Sequence, residues 1–434
     1  MTDAHGLLPS DYPQRQVLAD EVHSRPAQAL QTPCRATYIA LVVTPEERRR
    51  EDAHLAALFS AQGVEPPQPG ASHLVAQLGA LRLRRELHGE FTSYTFIAPG
   101  MGATPFSEAP VAMLPTGWLA STPGRVVAAV HAKVIPSEYA QADAQFLASH
   151  FAGNIVVGSD VGQGGGRVYS DFRIHADGFS RVVIVNERFT SRQTGRMLQR
   201  AFEIEAYRMM ALLALPLARE QGLLLAQANT TLATLAARIA AAEGDDEALL
   251  HEVTQLASTL EGALAVSQSR FGACKAYAEL VAMRIAELRE ERLAGLQPLG
   301  EFMERRFTPA VRTCHAVSQR LNELSERVAR AGALLSTRVD IARERQNQEL
   351  LASMDRRGRT QLKIQQAVEG LSLAAILYYV VGVIGILARG LHGAGARIDP
   401  DRVESLSIPV VVVLLIVVSH RLRRRVRSES ESGD

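Results

Sequence analysis

The chain has no excess of charge of one sign. Lys and Arg total 47 against 46 Asp and Glu, a formal net charge of +1. Binding nucleic acid needs a basic excess or a basic face to neutralise phosphates, so no nucleic-acid partner is expected. Cysteine is scarce: Cys34, Cys274 and Cys314 are odd in number, far apart and form no Cys-x-x-Cys. That excludes a disulfide ladder and fits a reducing compartment. The first residues, MTDAHGLLPSDYPQRQ, lack the basic and apolar regions of a secretory signal. No Ser/His/Asp or Cys/His set stands in a supporting local context, so no enzyme is expected. The Gly-rich stretch SDVGQGGGRVYS has no Gly-Lys-Ser/Thr, and a strand follows it where a helix N-terminus would have to hold phosphate. It reads as a turn between strands, and no cofactor is expected.

Apolar residues concentrate at the C-terminal end. QQAVEGLSLAAILYYVVGVIGILARG covers 365–390 and carries no charge from Gly370 to Ala388. SLSIPVVVVLLIVVSH follows at 405–420, then RLRRRVR. A spanning helix needs about 20 apolar residues. The first run meets this, and the second does so with His420 and Arg421 snorkelling. The pair predicts a transmembrane hairpin. Arg356, Arg357, Arg359 and Lys363 precede it, and Arg421, Arg423, Arg424, Arg425 and Arg427 follow it. The connecting loop 389–404 balances Arg389, Arg397 and Arg402 against Asp399, Asp401 and Glu404. The positive-inside rule then puts both termini in the cytoplasm and the loop outside.

Neither run has an ionisable residue near its centre, which weakens a pump or proton-coupled reading. Gly370, Ala374, Gly382 and Gly385 are small enough for close helix packing. Tyr378 and Tyr379 put hydroxyls in mid-span that need partners. Packing is the expected role of these positions, and lining a pore is the alternative.

Helix-favouring sequence fills 195–242, with a kink expected at Pro216. EGDDE at 243–247 breaks it, and Asp245 or Asp246 caps a second helix running to Arg292. After a break at 293–300, Thr308 as N-cap and Pro309 at the first position open a third. No proline follows until Pro400. Val317, Leu321, Leu324, Val328, Ala331, Leu335 and Arg338 step at coiled-coil spacing. A lone helix does not bury such a stripe, so a homo-oligomer is expected.

Residues 1–190 read as mixed α/β. Strands are expected at 36–44, 90–98, 125–134, 167–175 and 180–187, the last two joined by Asp177-Gly178 as a hairpin turn. A helix is expected at 44–63. If 82–94 is extended, Glu86, His88 and Glu90 share a face. With Glu21 and His23 they form a candidate divalent-metal set. Arg82 and Arg84 share that face too, and ion pairing is the cheaper explanation.

DEVHSRP, LHGEFTSYTF, GRMLQRAFEIEAYRMMALLALPLARE and the stretch from STRVDIARERQNQ to AAILYYVVG resemble a bacterial membrane-anchored family called domain of unknown function 3422. The resemblance covers nearly the whole chain and implies the bacterial inner membrane. It supplies no mechanism. The order of parts is also similar to CorA-type magnesium and cobalt channels, which implies assembly around a central axis. Those channels carry Gly-Met-Asn at the outer end of the first span. Here the place reads VGVIGILARGLHG, so no filter residue carries over.

The expected fold is α+β: a mixed α/β domain at 1–190, a long-helix stalk at 191–366, a transmembrane hairpin at 367–420 and a basic tail at 421–434. The expected function is that of a membrane-anchored, cytoplasm-facing scaffold or regulator. Its partners are the lipid bilayer, further copies of itself and a cytoplasmic protein. The alternative is a divalent cation channel with a divergent filter.

Overall fold

A computed structural model describes residues 11–23, 28–102, 105–139, 144–393 and 399–430. The chain divides into two compact units, Met1–Ala333 and Leu334–Asp434. It is α+β.

The first unit is built on one nine-stranded sheet, ordered β2-β3-β4-β1-β5-β8-β7-β6-β9. Its strands are β1 (Cys34–Val42), β2 (His73–Leu78), β3 (Leu81–Leu87), β4 (Phe91–Pro99), β5 (Arg125–Pro136), β6 (Val157–Val161), β7 (Gly166–Ser170), β8 (Ser180–Asn186) and β9 (Glu291–Arg292). All neighbours are antiparallel except β5 and β8. β1 and β4 lie inside the sheet and are buried along nearly their whole length, as strands covered on both faces must be.

One face carries α2 (Pro45–Ala61) and α3 (Ala144–Phe151). Thr44 and Glu47 close a capping box at the start of α2, with Pro45 in the first turn. Leu55, Leu58 and Phe59 then pack with Ile39, Leu83, Phe96 and Trp118 in one apolar cluster. A second cluster sets Phe151 against Val183, Val185 and Tyr169. The opposite face carries α4 (Ser191–Leu212), started by a Thr190–Gln193 capping box. Phe202 of α4 stacks on Tyr38 of β1 at 5.0 Å. Gly195 lets the chain at Gln28 cross α4 closely: a Cβ there would lie 1.7 Å from the Gln28 carbonyl oxygen.

Behind α4 come α5 (Ala214–Ala241), α6 (Asp246–Leu288), α7 (Leu299–Arg306) and the start of α8 (Thr308–Gly393). The irregularity expected at Pro216 falls at Leu213, the one residue between α4's end at Leu212 and α5's start at Ala214, which keeps a right-handed backbone. Asp245 caps α6, accepting from the Glu247 amide. α6 stops at Leu288 rather than Arg292, since Arg289 turns left-handed and Glu291–Arg292 joins the sheet beside β6. Thr308 is no N-cap. Its hydroxyl donates to the Met303 carbonyl, and Phe307 occupies the turn that opens α8.

Two strand expectations change. The stretch 82–94 is not one strand, because β3 and β4 form a hairpin that turns at 88–90. β7 ends at Ser170, not 175: Asp171 accepts from the Arg173 amide and pulls the chain out of the ladder. Asp177-Gly178 still makes a turn, closed by the Gly178 amide on the His175 carbonyl. β2 and β6 are additional.

The Gly-rich stretch is the β6–β7 turn, and its glycines make room for Phe189. A Cβ at Gly165 would lie 2.2 Å from that ring, and one at Gly166 would lie 2.5 Å from the Val185 carbonyl oxygen.

The second unit holds the rest of α8 and α9 (Pro400–Ser430). Residues 340–370 of α8 are exposed nearly throughout.

Candidate functional site

Two places hold the residues singled out from the sequence. The first lies between the sheet and α4. Glu86 does not wait for a metal: Arg84 bonds it at 2.6 Å, and both side chains are buried. His88 sits in the β3–β4 turn, stacked on Phe91 at 4.0 Å with Nε2 3.1 Å from the Ser93 hydroxyl. Glu90 belongs to Arg270 of α6, at 2.8 Å. The side chains of Glu21 and His23 lie outside the described residues. Among those residues no group of three His, Cys, Asp or Glu side chains is placed to hold a metal.

Glu86 and Glu90 instead mark two ends of a charged layer that the sequence did not disclose. Arg84 also reaches Gln199 of α4 at 3.3 Å, and Gln199 bonds Glu203 at 2.7 Å. Glu203 pairs with Arg284 of α6, which bonds Glu287 at 3.0 Å, and Glu287 accepts from Arg200 of α4 at 3.0 Å. Sheet, α4 and α6 are thus joined through a run of hydrogen bonds and ion pairs, with the neutral Gln199 side chain as the link between the sheet and α4. Burial and the nearby Glu90 carboxylate hold the Tyr277 hydroxyl above its usual range. The cavity within this layer is about 30 Å³, room for one or two waters and too small for a substrate. The available signal was the cluster Gln199, Arg200 and Glu203 on α4, but no spacing rule says which sheet residue it meets.

The heptad stripe of α8 also finds partners inside this chain. Val317, Leu321, Leu324 and Val328 are buried. Around them Ser325 bonds Glu261 of α6 at 2.6 Å, and Arg327 bonds Asn229 of α5 at 3.3 Å. The stripe therefore does not require a second copy, which removes the argument from it to an oligomer.

The second place is the apolar pair of helices. Among the described residues three helical stretches are long and apolar enough to cross a membrane: Ser191–Ala241, Leu299–Gly393 and Pro400–Arg421. The apolar window of the first is 33% buried, against 11% and 6% for the others. Ala211, Ala214, Ala218 and Leu225 within that first stretch are buried in the body. The other two present Ile386, Val413 and Leu414 outward, each more than 60% exposed. Such side chains need an apolar surrounding.

Within the hairpin, buried and half-buried positions step by about four: Leu373, Leu377, Val381, Gly385 and Ala388 on α8, Ser407, Val411, Leu415 and Ser419 on α9. Gly385 is the close-approach glycine, since a Cβ there would lie 2.5 Å from a Glu404 carboxylate oxygen. Arg389 pairs with the same carboxylate at 3.3 Å. Gly382 is half-buried with open space at its Cβ position. Gly370, Ala374 and Tyr378 share a face with no neighbour in the chain, and Tyr378 is 78% exposed. Of the five candidates, only Gly385 is seated against the partner helix.

No curated protein matches the chain, and no solved structure does. The match to a known family is nearly end to end, over residues 10–426, and the chain belongs to that family, described as a protein of unknown function, DUF3422.

Proposed function

We propose that this chain is a membrane-anchored scaffold or regulator of a bacterial inner membrane, without enzymatic activity of its own. Its body faces the cytoplasm and engages a cytoplasmic protein, both termini lie on that side, and residues 389–404 form the short outer loop. The observation that carries this reading is α8. One unbroken helix of 86 residues buries its first turns among α5 and α6 and ends in an apolar window. α8 thus contributes to both units. The charges flanking the hairpin support the orientation.

The chain works as a homo-oligomer in this reading. Support comes from the face of α8 that α9 leaves open, where Gly370 and Ala374 stand four residues apart, the small-residue spacing that lets helices approach in lipid. Two spans per chain enclose no pathway alone.

Carbonate washing of membranes tests the anchor: full-length protein should stay in the pellet, and a chain ending at 366 should leave it. Release of the full-length protein would end the membrane reading. Native mass spectrometry of the detergent-solubilised protein tests the assembly. A monomer would remove the oligomer. A ring of five or so copies would shift the balance to a CorA-like cation channel and call for flux assays. Turnover of any substrate by the purified protein in an unbiased screen would defeat the non-enzymatic reading.

A further inference from the structure

β5 outruns one of its two neighbours. On one side β1 follows it from Cys34 opposite Val134 to Val42 opposite Arg125. On the other side β8 joins it only from Val130, which stands opposite Ser180. The Ser180 hydroxyl donates to the Ala129 carbonyl at 3.2 Å. Beyond that, among the described residues, no backbone hydrogen bond reaches 125–128 on the β8 side. The sheet therefore has a short free edge in its middle, where strand donors and acceptors lack a partner strand.

A mostly apolar cleft of about 700 Å³ lies beside this edge. Ile39 and Leu41 of β1 and Val126 and Ala129 of β5 line it from the sheet, on the face that carries α2. Leu114 and Leu119 line it from the 110–122 segment, and Asp177, Gly178 and Phe179 from the turn before β8. A bulge between Ala40 and Leu41 sets Val126, and not Val127, opposite Leu41. Leu41 is buried, whereas Val126 across from it is 63% exposed. The cleft is thus open at the free edge, with an apolar side chain at its mouth.

Edge and cleft together fit one kind of occupant. Free strand donors and acceptors in a row are met by another extended backbone, whose main chain supplies the bonds while pockets select its side chains. Side chains of an added strand alternate between the two faces, so every second one turns to the cleft side. An apolar residue there covers Val126 and fills the cleft, whose volume is in the range that takes a bound group. Asp177 supplies a charge at the same place. One of its oxygens accepts from the Phe179 amide at 3.1 Å, and the other stands 3.7 Å from Arg181, longer than a hydrogen bond. Its side chain is 38% exposed and offers a counter-charge to a Lys or Arg of the incoming segment.

We propose that 125–128 of β5 and the adjoining cleft receive an extended peptide segment of a partner protein, which joins the sheet as a strand and places an apolar side chain in the cleft. The proposal rests on the partner reading above and names the surface that serves it. It makes no use of the hairpin.

Panning a random octapeptide phage library on the full-length detergent-solubilised protein, and in parallel on Val126→Glu, tests this. Wild type should enrich sequences with apolar residues at alternate positions, and the variant should not. Val126 is largely exposed, so the variant should keep the wild-type Tm. The best selected peptide, made synthetically, should slow hydrogen exchange at 125–128 of the wild type. N-methylation of one of its two alternating sets of amides should weaken binding by about tenfold or more, the effect of losing two or three backbone hydrogen bonds. These two readouts use wild-type protein and decide the matter even if Val126→Glu is unstable. No enrichment on wild type would overturn the proposal. Equal enrichment on both proteins would overturn this edge and leave the partner reading to another surface of the body. Full binding with either set of amides methylated would show a side chain or small molecule in the cleft without a strand, and would overturn it too. A fall in native mass from oligomer to monomer on adding the peptide would assign the edge to a second copy, with the same consequence.

Discussion

The body and the hairpin solve opposite problems with the same physical rules. The body takes charges inside and pairs them: Arg85, with its side chain 2% exposed, bonds Asp52 at 2.6 Å, and Arg84 bonds Glu86 at the same distance. The hairpin turns apolar side chains outward, Ile386 at 66% and Val413 at 61% exposure, and keeps its Arg389–Glu404 pair at the loop end. A charge removed from water is tolerated only when paired and hydrogen-bonded. An apolar side chain facing outward is tolerated only when the surroundings are apolar. The difference teaches that burial in this chain is not one scale. The body's inside is one dry environment, and the hairpin's outward apolar side chains call for a second.

The sharpest way to break the comparison is to leave one buried charge alone. Glu86→Leu strands Arg84 between sheet and α4 and should cost about 3–5 kcal/mol in urea unfolding. Adding Arg84→Met should recover most of that loss. If the single change is silent, the charged layer is wetter than its burial implies.

A second test sharpens the account of the body. His131 is buried, stacked on Phe179 at 3.8 Å with Nδ1 2.9 Å from the Thr37 hydroxyl. Burial lowers its pKa from 6.5 to about 4, against a partly offsetting pull from Asp177. The folded state thus holds His131 neutral where the unfolded chain would protonate it. Its cost is absent above pH 6.5 and grows as pH falls towards 4, reaching roughly 3 kcal/mol at most. Over that window wild type should lose stability more steeply than His131→Gln. Parallel pH curves would mean that His131 does not titrate differently on folding.

The smallest effect belongs to the hairpin. Arg389 and Glu404 are 56% and 33% exposed, and exposed pairs contribute about 1 kcal/mol or less. Arg389→Gln should leave membrane retention unchanged and shift Tm by a degree or two. A large loss would show that the pair sits in a drier place than the end of the span.

Much of the helical architecture was legible from local signals. Thr44-Pro45 with Glu47, Asp245 and the proline-free run after Pro309 act within a few residues of themselves. The apolar windows depend only on composition and length. What stayed hidden depends on partners remote in sequence. Glu86, His88 and Glu90 suggested a ligand set, yet Glu90 is claimed by Arg270, 180 residues away. The stripe from Val317 to Leu335 suggested a second copy, yet α5 and α6 surround its first turns. β2 and β6 were missed because strands of six and five residues with mixed polarity carry a weak period-two signal.

By itself, the sequence determined the starts of α2 and α6, the two apolar windows, the glycine-lined turn and the family. Each follows from a residue's own backbone preference, its immediate neighbours or the length of a run. Only the tertiary structure decided which charges neutralise one another, which face of α8 is covered, and that Arg35 stands opposite Lys133 with Arg181 one row away on the same face. Those outcomes depend on strand order and register, which bring together residues from 35 to 181, and no local preference encodes that.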